Sequence, residues 1–185
     1  MKLKGFFFTS VLLFLALPSQ IVAQPGPRVE VPLQRFVCNT GYTLEECHVQ
    51  MMVLRKALAK YPAAQLGTWT WVLVRSKDWK RILQDRGLYP NSPAFSFLPR
   101  RETFIEEALV ASVSARAVEL REVWGMSIKD LLDLAVAHEL GHAICNETDE
   151  AKTNRVTKML RDGNATSCSA NLDAKNQVEK MEKLR

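Results

Sequence analysis

The sequence predicts an α+β fold, with a short mixed or antiparallel sheet packed on helices. Three observations carry that expectation. Trp69-Thr-Trp-Val-Leu-Val74 is aromatic and β-branched and follows Gly67, the composition of a strand. Thr43-Leu-Glu-Glu46 is a capping box and opens an early helix. Residues 134–145 are uncharged and small or apolar at every position except His138, Glu139 and His142, which suits a buried late helix.

The chain begins with a basic start at Lys2 and Lys4. An apolar core follows at Phe6-Phe-Phe8 and residues 11–17, then Pro18 and a small-residue exit at Ile21-Val-Ala23. This is the pattern of a secretory signal peptide over residues 1–23, cut before Gln24. The alternative is an uncleaved anchor, but the apolar core is interrupted by Thr9 and Ser10 and falls short of a bilayer span. No later stretch is long and apolar enough to cross a membrane. The expectation is therefore a single domain, residues 24–185, in a secreted or periplasmic location, with no membrane partner once the leader is removed.

The 185-residue chain has formal net charge +5. Of its 25 lysines and arginines, Lys2 and Lys4 leave with the leader, so 23 basic residues face 20 acidic ones, a net +3. That is too little to argue for nucleic acid, and no basic stripe is visible. Four cysteines in an exported chain predict disulfides. Of the three connectivities, the one joining Cys38 to Cys47 and Cys145 to Cys168 closes the shortest loops. A cysteine-rich zinc site is the alternative, and the spacings support it poorly.

Residues 24–32 are Pro-rich and read as an extended lead-in. In the helix opened by Thr43, Val49, Met52, Val53, Ala57 and Tyr61 mark an apolar face, and Pro62 ends it. His48, near its start, reads as a surface residue. On the strand 69–74, Trp69 and Trp71 share a face and suit core packing. Ser76 is placed to cap a short helix carrying Trp79, Ile82 and Leu83, which ends before Gly87. Phe95-Ser-Phe-Leu98 alternates and is expected to pair with Thr103-Phe-Ile-Glu-Glu-Ala108 as a hairpin across Pro99-Arg-Arg. Residues 115–122 look helical, and Gly125 breaks them. Ser127-Ile-Lys-Asp130 caps the next helix, 128–145, with Asp130 near the positive end of its dipole and Leu131, Leu134, Ala135 and Ile144 packing it.

That helix contains Val136-Ala-His138-Glu139-Leu-Gly-His142, a His-Glu-x-x-His run. Residues four apart lie on one helix face, so His138 and His142 can reach one metal ion. Neutral imidazoles are good zinc ligands, and a catalytic site needs three protein ligands plus an open position. Glu139 sits about 100° round the helix, beside the metal, where it can take the proton of a zinc-bound water. The motif resembles that of the zincin superfamily of metallopeptidases, over residues 128–161. The order of elements also resembles small zincin domains, in which a sheet packs on a helix pair.

The third ligand decides the subclass. Cys145 shares the face of His138 but stands about 10 Å along the axis, too far for one tetrahedral metal. In the metzincin pattern Cys145 occupies the place of a glycine and Thr148 that of the last histidine, so that pattern is absent. The gluzincins use a glutamate from a following helix, with an acidic or amide residue four positions later bracing a zinc histidine. Glu150-Ala-Lys-Thr-Asn154 has that form in a helix 149–161, with residues 146–148 as the turn of a helical hairpin. The resemblance thus implies Glu150 as third ligand and Asn154 as the brace. Glu147 and Asp149 are the alternatives. Asn stands where Asp is commoner, and the connection from His142 is short, so the match is nearest to compact gluzincin-like domains.

The expected function is an exported zinc-dependent metallopeptidase. His138, His142 and Glu150 hold Zn²⁺, Glu139 is the general base, and a peptide or protein substrate lies along a strand edge. The alternative is a secreted zincin-like domain that binds zinc or a partner without peptidase activity. No Tyr or His stands at an interpretable spacing to stabilise the oxyanion. Asn146-Glu-Thr148 and Asn164-Ala-Thr166 have the form of glycosylation sequons, and a glycan on Asn146 would crowd the metal.

Overall fold

The computed structural model describes residues 34–111, 113–164 and Cys168. The leader, its cleavage point, the lead-in 24–32 and the end of the second sequon lie outside the described residues. The fold is α+β. Four strands form one mixed sheet in the order β1-β2-β4-β3, with β1 at Gln34–Cys38, β2 at Trp69–Val74, β3 at Ala94–Phe97 and β4 at Glu102–Glu106. β2 is parallel to β1 and β4, with Trp71 opposite both Phe36 and Thr103. β3 runs antiparallel to β4 with Phe95 opposite Phe104, the hairpin expected across Pro99-Arg-Arg. β1 and β3 are the sheet's two edges.

Among the described residues five α-helices accompany the sheet: α1 (Leu44–Leu58), α2 (Ser76–Asp85), α3 (Ala115–Trp124), α4 (Ile128–Cys145) and α5 (Glu150–Arg161). Successive β2 side chains point to opposite faces. Trp69, Trp71 and Leu73 enter the larger core with Leu54 and Leu58 of α1, Leu120 of α3, Val136 and Leu140 of α4 and Val156 of α5. Val72, partly buried, packs in a smaller cluster with Val74, Trp79 and Leu83 of α2, Phe95 and Phe104. Phe95 stacks on Phe104 at 4.8 Å between centroids, which favours that hairpin register. The buried indoles are hydrogen-bonded, Trp69 Nε1 donating to Thr103 Oγ1 at 3.0 Å and Trp71 Nε1 to Gln34 Oε1 at 2.9 Å. Both tryptophans are core residues, as expected.

Three local expectations are corrected. α1 opens with the Thr43–Glu46 capping box, but it buries Met51, Leu54, Ala57 and Leu58. Val49, Met52 and Val53 are exposed, at 56%, 57% and 39%. The helix is apolar on several sides, so periodicity alone does not choose which side the sheet covers. Ser76 is the first residue of α2 rather than its cap. Its N–H is taken by the Glu107 carboxylate at 3.2 Å, a long-range contact replacing a local one. β4 stops at Glu106 where a 3-10 turn, Glu107–Leu109, begins, and β1 joins the sheet unforeseen.

The disulfides, expected from the cysteine count but left open in their connectivity, join the pairs with the shortest loops, Cys38–Cys47 and Cys145–Cys168. Such bridges belong to chains matured under oxidising conditions. Among the described residues no helix is long and apolar enough to cross a membrane.

Candidate metal centre

The site is built on the α4–α5 hairpin. The Ser127 hydroxyl caps α4 by accepting from the Asp130 N–H at 3.1 Å. Asn146, at φ 46°, ends the helix in the left-handed conformation that asparagine tolerates. Asp149 then caps α5, its carboxylate accepting from the Lys152 N–H at 2.9 Å. The two helices meet at Gly141, where an added Cβ would lie 3.2 Å from Thr153 Cγ2 and 3.5 Å from Thr157 Oγ1. Gly141 puts no side chain of its own into that seam, so Thr153 and Thr157 of α5 pack directly against the α4 backbone beside the histidines.

His138 and His142 bring their Nε2 atoms to 3.1 Å. Glu150 reaches both, with Oε2 3.1 Å from His138 Nε2 and Oε1 3.5 Å from His142 Nε2. One donor atom from each of the three residues falls within 4.8 Å of the others. Four-coordinate bonds of about 2.1 Å at tetrahedral angles place neighbouring donors about 3.4 Å apart. The donor set and its spacings therefore fit a small metal ion. The histidine side chains are largely buried, at 22% and 12% exposure, whereas Glu150 is 70% exposed.

The imidazole Nδ1 atoms turn away from this point. His142 Nδ1 lies 2.7 Å from the Glu147 carbonyl oxygen and 3.1 Å from Thr153 Oγ1. His138 Nδ1 lies 3.4 Å from Thr157 Oγ1. Burial, and then the neighbouring His142, push the His138 pKa down, while Glu150 and a polar contact from Asn154 oppose the shift. Burial and the neighbouring imidazole both favour the neutral form that a metal requires.

Glu139 is 4% exposed, and its Oε2 has no hydrogen-bond partner among the described residues. Burial pushes its carboxyl up to about 8, with the charge of Glu150 adding to the effect and Ser96 opposing it. Its chemistry faces a cavity of about 640 Å³ that is also lined by His138, His142, Glu150 and Asn154. Ala94, Phe95 and Ser96 of edge strand β3 form one wall, and Leu131, Leu134 and Ala135, along α4, continue it. Comparison of the chain with protein-family models, with curated proteins and with solved structures finds no match.

The structure thus brings Glu150 to the histidine pair and keeps both alternatives away. The Glu147 carboxylate accepts from the Thr148 and Asp149 N–H groups at 3.0 and 2.9 Å and pairs with Lys152 at 3.1 Å. Those hydrogen bonds, the Asp149 N–H first, hold its pKa low. The Asp149 carboxylate is committed to capping α5. His48 is exposed on α1 and takes no part in the donor cluster. Asn154 lines the same cavity and makes a polar contact with His138, whereas the His138 Nδ1 that a brace would hold faces Thr157 Oγ1. Sequence reasoning missed Thr153, Thr157 and the Glu147 carbonyl as neighbours of the imidazoles. Two threonines four apart on the helix after the motif were the only available signal.

Proposed function

We propose that the protein is an exported zinc metallopeptidase of the compact gluzincin-like kind that its motif resembles. The observation that carries the reading is the convergence of His138 Nε2, His142 Nε2 and the Glu150 carboxylate at metal-ligand spacing, with Glu139 facing the same cavity. Two imidazoles and one carboxylate suit zinc, and three protein ligands leave a position open. The two disulfides support export.

When bound, zinc supplies Lewis acidity, polarising a carbonyl and acidifying a water. His138 and His142 hold it through Nε2 and Glu150 through its carboxylate. Glu139 accepts the proton of the attacking water and returns it to the leaving amine. Its raised pKa makes it a proton acceptor of suitable strength, and a nearby cation favours its charged form. Among the described residues no strand pairs with the outer edge of β3, whose main-chain groups would hold a peptide extended along the cavity wall.

The short connection between α4 and α5, residues 146–149, favours a second reading, a secreted zincin-like domain that binds zinc or a partner but turns over no peptide. Zinc stoichiometry after dialysis and cleavage of a broad peptide library separate the two. The wild type should hold about one zinc per chain and cleave peptides. Glu139→Gln should keep the zinc and lose at least about 10²-fold in hydrolysis, the scale of general-base catalysis. Glu150→Ala should lose both, because two protein ligands hold zinc weakly. A wild type without zinc overturns the proposal, and zinc with no cleavage supports the second reading.

A further inference from the structure

His142 has no choice of tautomer. Its Nδ1 lies 2.7 Å from the Glu147 carbonyl oxygen, which can only accept, so the proton is on Nδ1. His138 faces a threonine, which can donate or accept. Its partner's proton is already engaged, because Thr157 Oγ1 donates to the Thr153 carbonyl oxygen at 2.8 Å. Thr153 Oγ1 likewise donates to the Asp149 carbonyl oxygen at 2.9 Å. A hydroxyl carries one proton. With that proton on the carbonyl one helical turn back, each oxygen can only accept from the imidazole it faces.

We propose that Thr157 and Thr153 are positioning residues which, with the Glu147 carbonyl, hold both histidines as Nδ1–H tautomers and so aim two Nε2 lone pairs at the metal site. The purpose of the arrangement rests on the zinc reading, but its geometry does not. Both threonines are buried, at 0% for Thr153 and 4% for Thr157, so water does not compete for the imidazole N–H groups. With neither Nε2 protonated, two lone pairs face each other at 3.1 Å beside a carboxylate. A metal cation relieves that cluster of lone pairs, as would a proton taken up by one Nε2. The two threonines are not equivalent. Thr153 shares His142 with the Glu147 carbonyl, whereas Thr157 is the one hydroxyl hydrogen-bonded to His138 Nδ1 among the described residues.

The test is ¹⁵N-edited NMR of the imidazoles in the zinc-stripped full chain above about pH 8, where histidine is neutral, paired with zinc affinity by chelator competition. Wild type should show Nδ1–H at both histidines. Thr157→Val, which keeps the shape and removes the hydroxyl, should shift His138 toward Nε2–H. It should also weaken zinc binding about 10- to 100-fold, the usual effect of losing a partner of a metal-bound imidazole. Thr157→Ser should restore both readouts, and Thr153→Val should leave the His142 tautomer in place with a smaller loss of affinity. Nε2–H at either wild-type histidine overturns the proposal. So does Thr157→Val with tautomer and affinity unchanged, or a tautomer change that follows Asn154→Ala instead. A wild type with both Nδ1–H forms but no zinc affinity upholds the tautomer assignment and removes the zinc reading.

Discussion

Replacing Gly141 tests the seam that holds the site together. A Cβ at this position would sit 3.2 Å from Thr153 Cγ2 and 3.4 Å from the Thr153 carbonyl oxygen. Carbon atoms rest at about 3.5–4.0 Å, so alanine intrudes by a few tenths of an ångström. The Thr153 methyl has little room to turn, because its hydroxyl is bonded to the Asp149 carbonyl and faces His142. Alanine gains about 1 kcal/mol in helix propensity over glycine. Crowding costs about the same, so Gly141→Ala should unfold within about 1 kcal/mol of wild type. Valine adds two further carbons with nowhere to go, and α5 must move as a unit. Gly141→Val should lose about 1–3 kcal/mol. It should also bind zinc at least about 10-fold more weakly, because Thr153, Thr157 and Glu150 all ride on α5. Urea unfolding of the metal-free protein and chelator competition measure the two effects. A valine variant with native stability and native zinc affinity would show that the helices do not approach as described, and the argument for the seam would fail.

The helix face can be checked in the same urea assay. Leu54→Ala should cost about 2–5 kcal/mol, whereas Met52→Ala should stay within about 0.5 kcal/mol. The reverse order would put the exposed side of α1 inward. Joint replacement of Cys145 and Cys168 by serine should lose about 2–4 kcal/mol, because their bridge closes a loop of sequence separation 23. Equal stability of that variant in urea would deny the bridge. For Asp133, burial opposes ionisation, but contacts with Lys60, Tyr61 and Arg161 outweigh it and leave the pKa below 3.8. A lowered folded pKa gives stability that is present above about pH 4 and lost as pH falls through the folded value. Asp133→Asn should therefore cost up to about 1 kcal/mol at pH 7 and nothing near pH 2, since the site is partly exposed. A pH-independent difference between the two proteins would contradict that origin.

The parts legible in the sequence were those fixed by local chemistry. The Ser127 cap and the Asn146 turn bound α4 where the sequence placed it, and Gly125 stops α3 at φ 64°. β2 and the β3–β4 pair were visible from aromatic and β-branched composition. The parts that were not legible depend on distant neighbours. Gln34-Arg-Phe-Val-Cys38 is short and half polar, and it is a strand only because β2 offers an edge beside it. The buried side of α1 is chosen by the sheet and α4. At the site, His-Glu-x-x-His carries its own geometry in its spacing, and Glu150 could be named but not separated from Glu147 and Asp149. The separation comes from the turn, where both alternatives are engaged with backbone N–H groups. Thr153 and Thr157 resemble any helical threonines until Gly141 admits α5.

The three donors lie between positions 138 and 150, within one hairpin. The sheet behind the cavity is completed by parallel pairings such as Gln34 with Trp69 and Thr70 with Glu102, its β3–β4 edge alone being a local hairpin. Short loops close early and cheaply, and long-range parallel pairing is slow. The order of assembly should follow. An ion present during folding would meet its donors while the sheet is still forming, before the cavity beside them is walled. In refolding from urea, zinc uptake reported by a fluorescent chelator should then run ahead of the burial of Trp69 and Trp71. Simultaneous appearance of the two signals would mean that the hairpin needs the sheet to form.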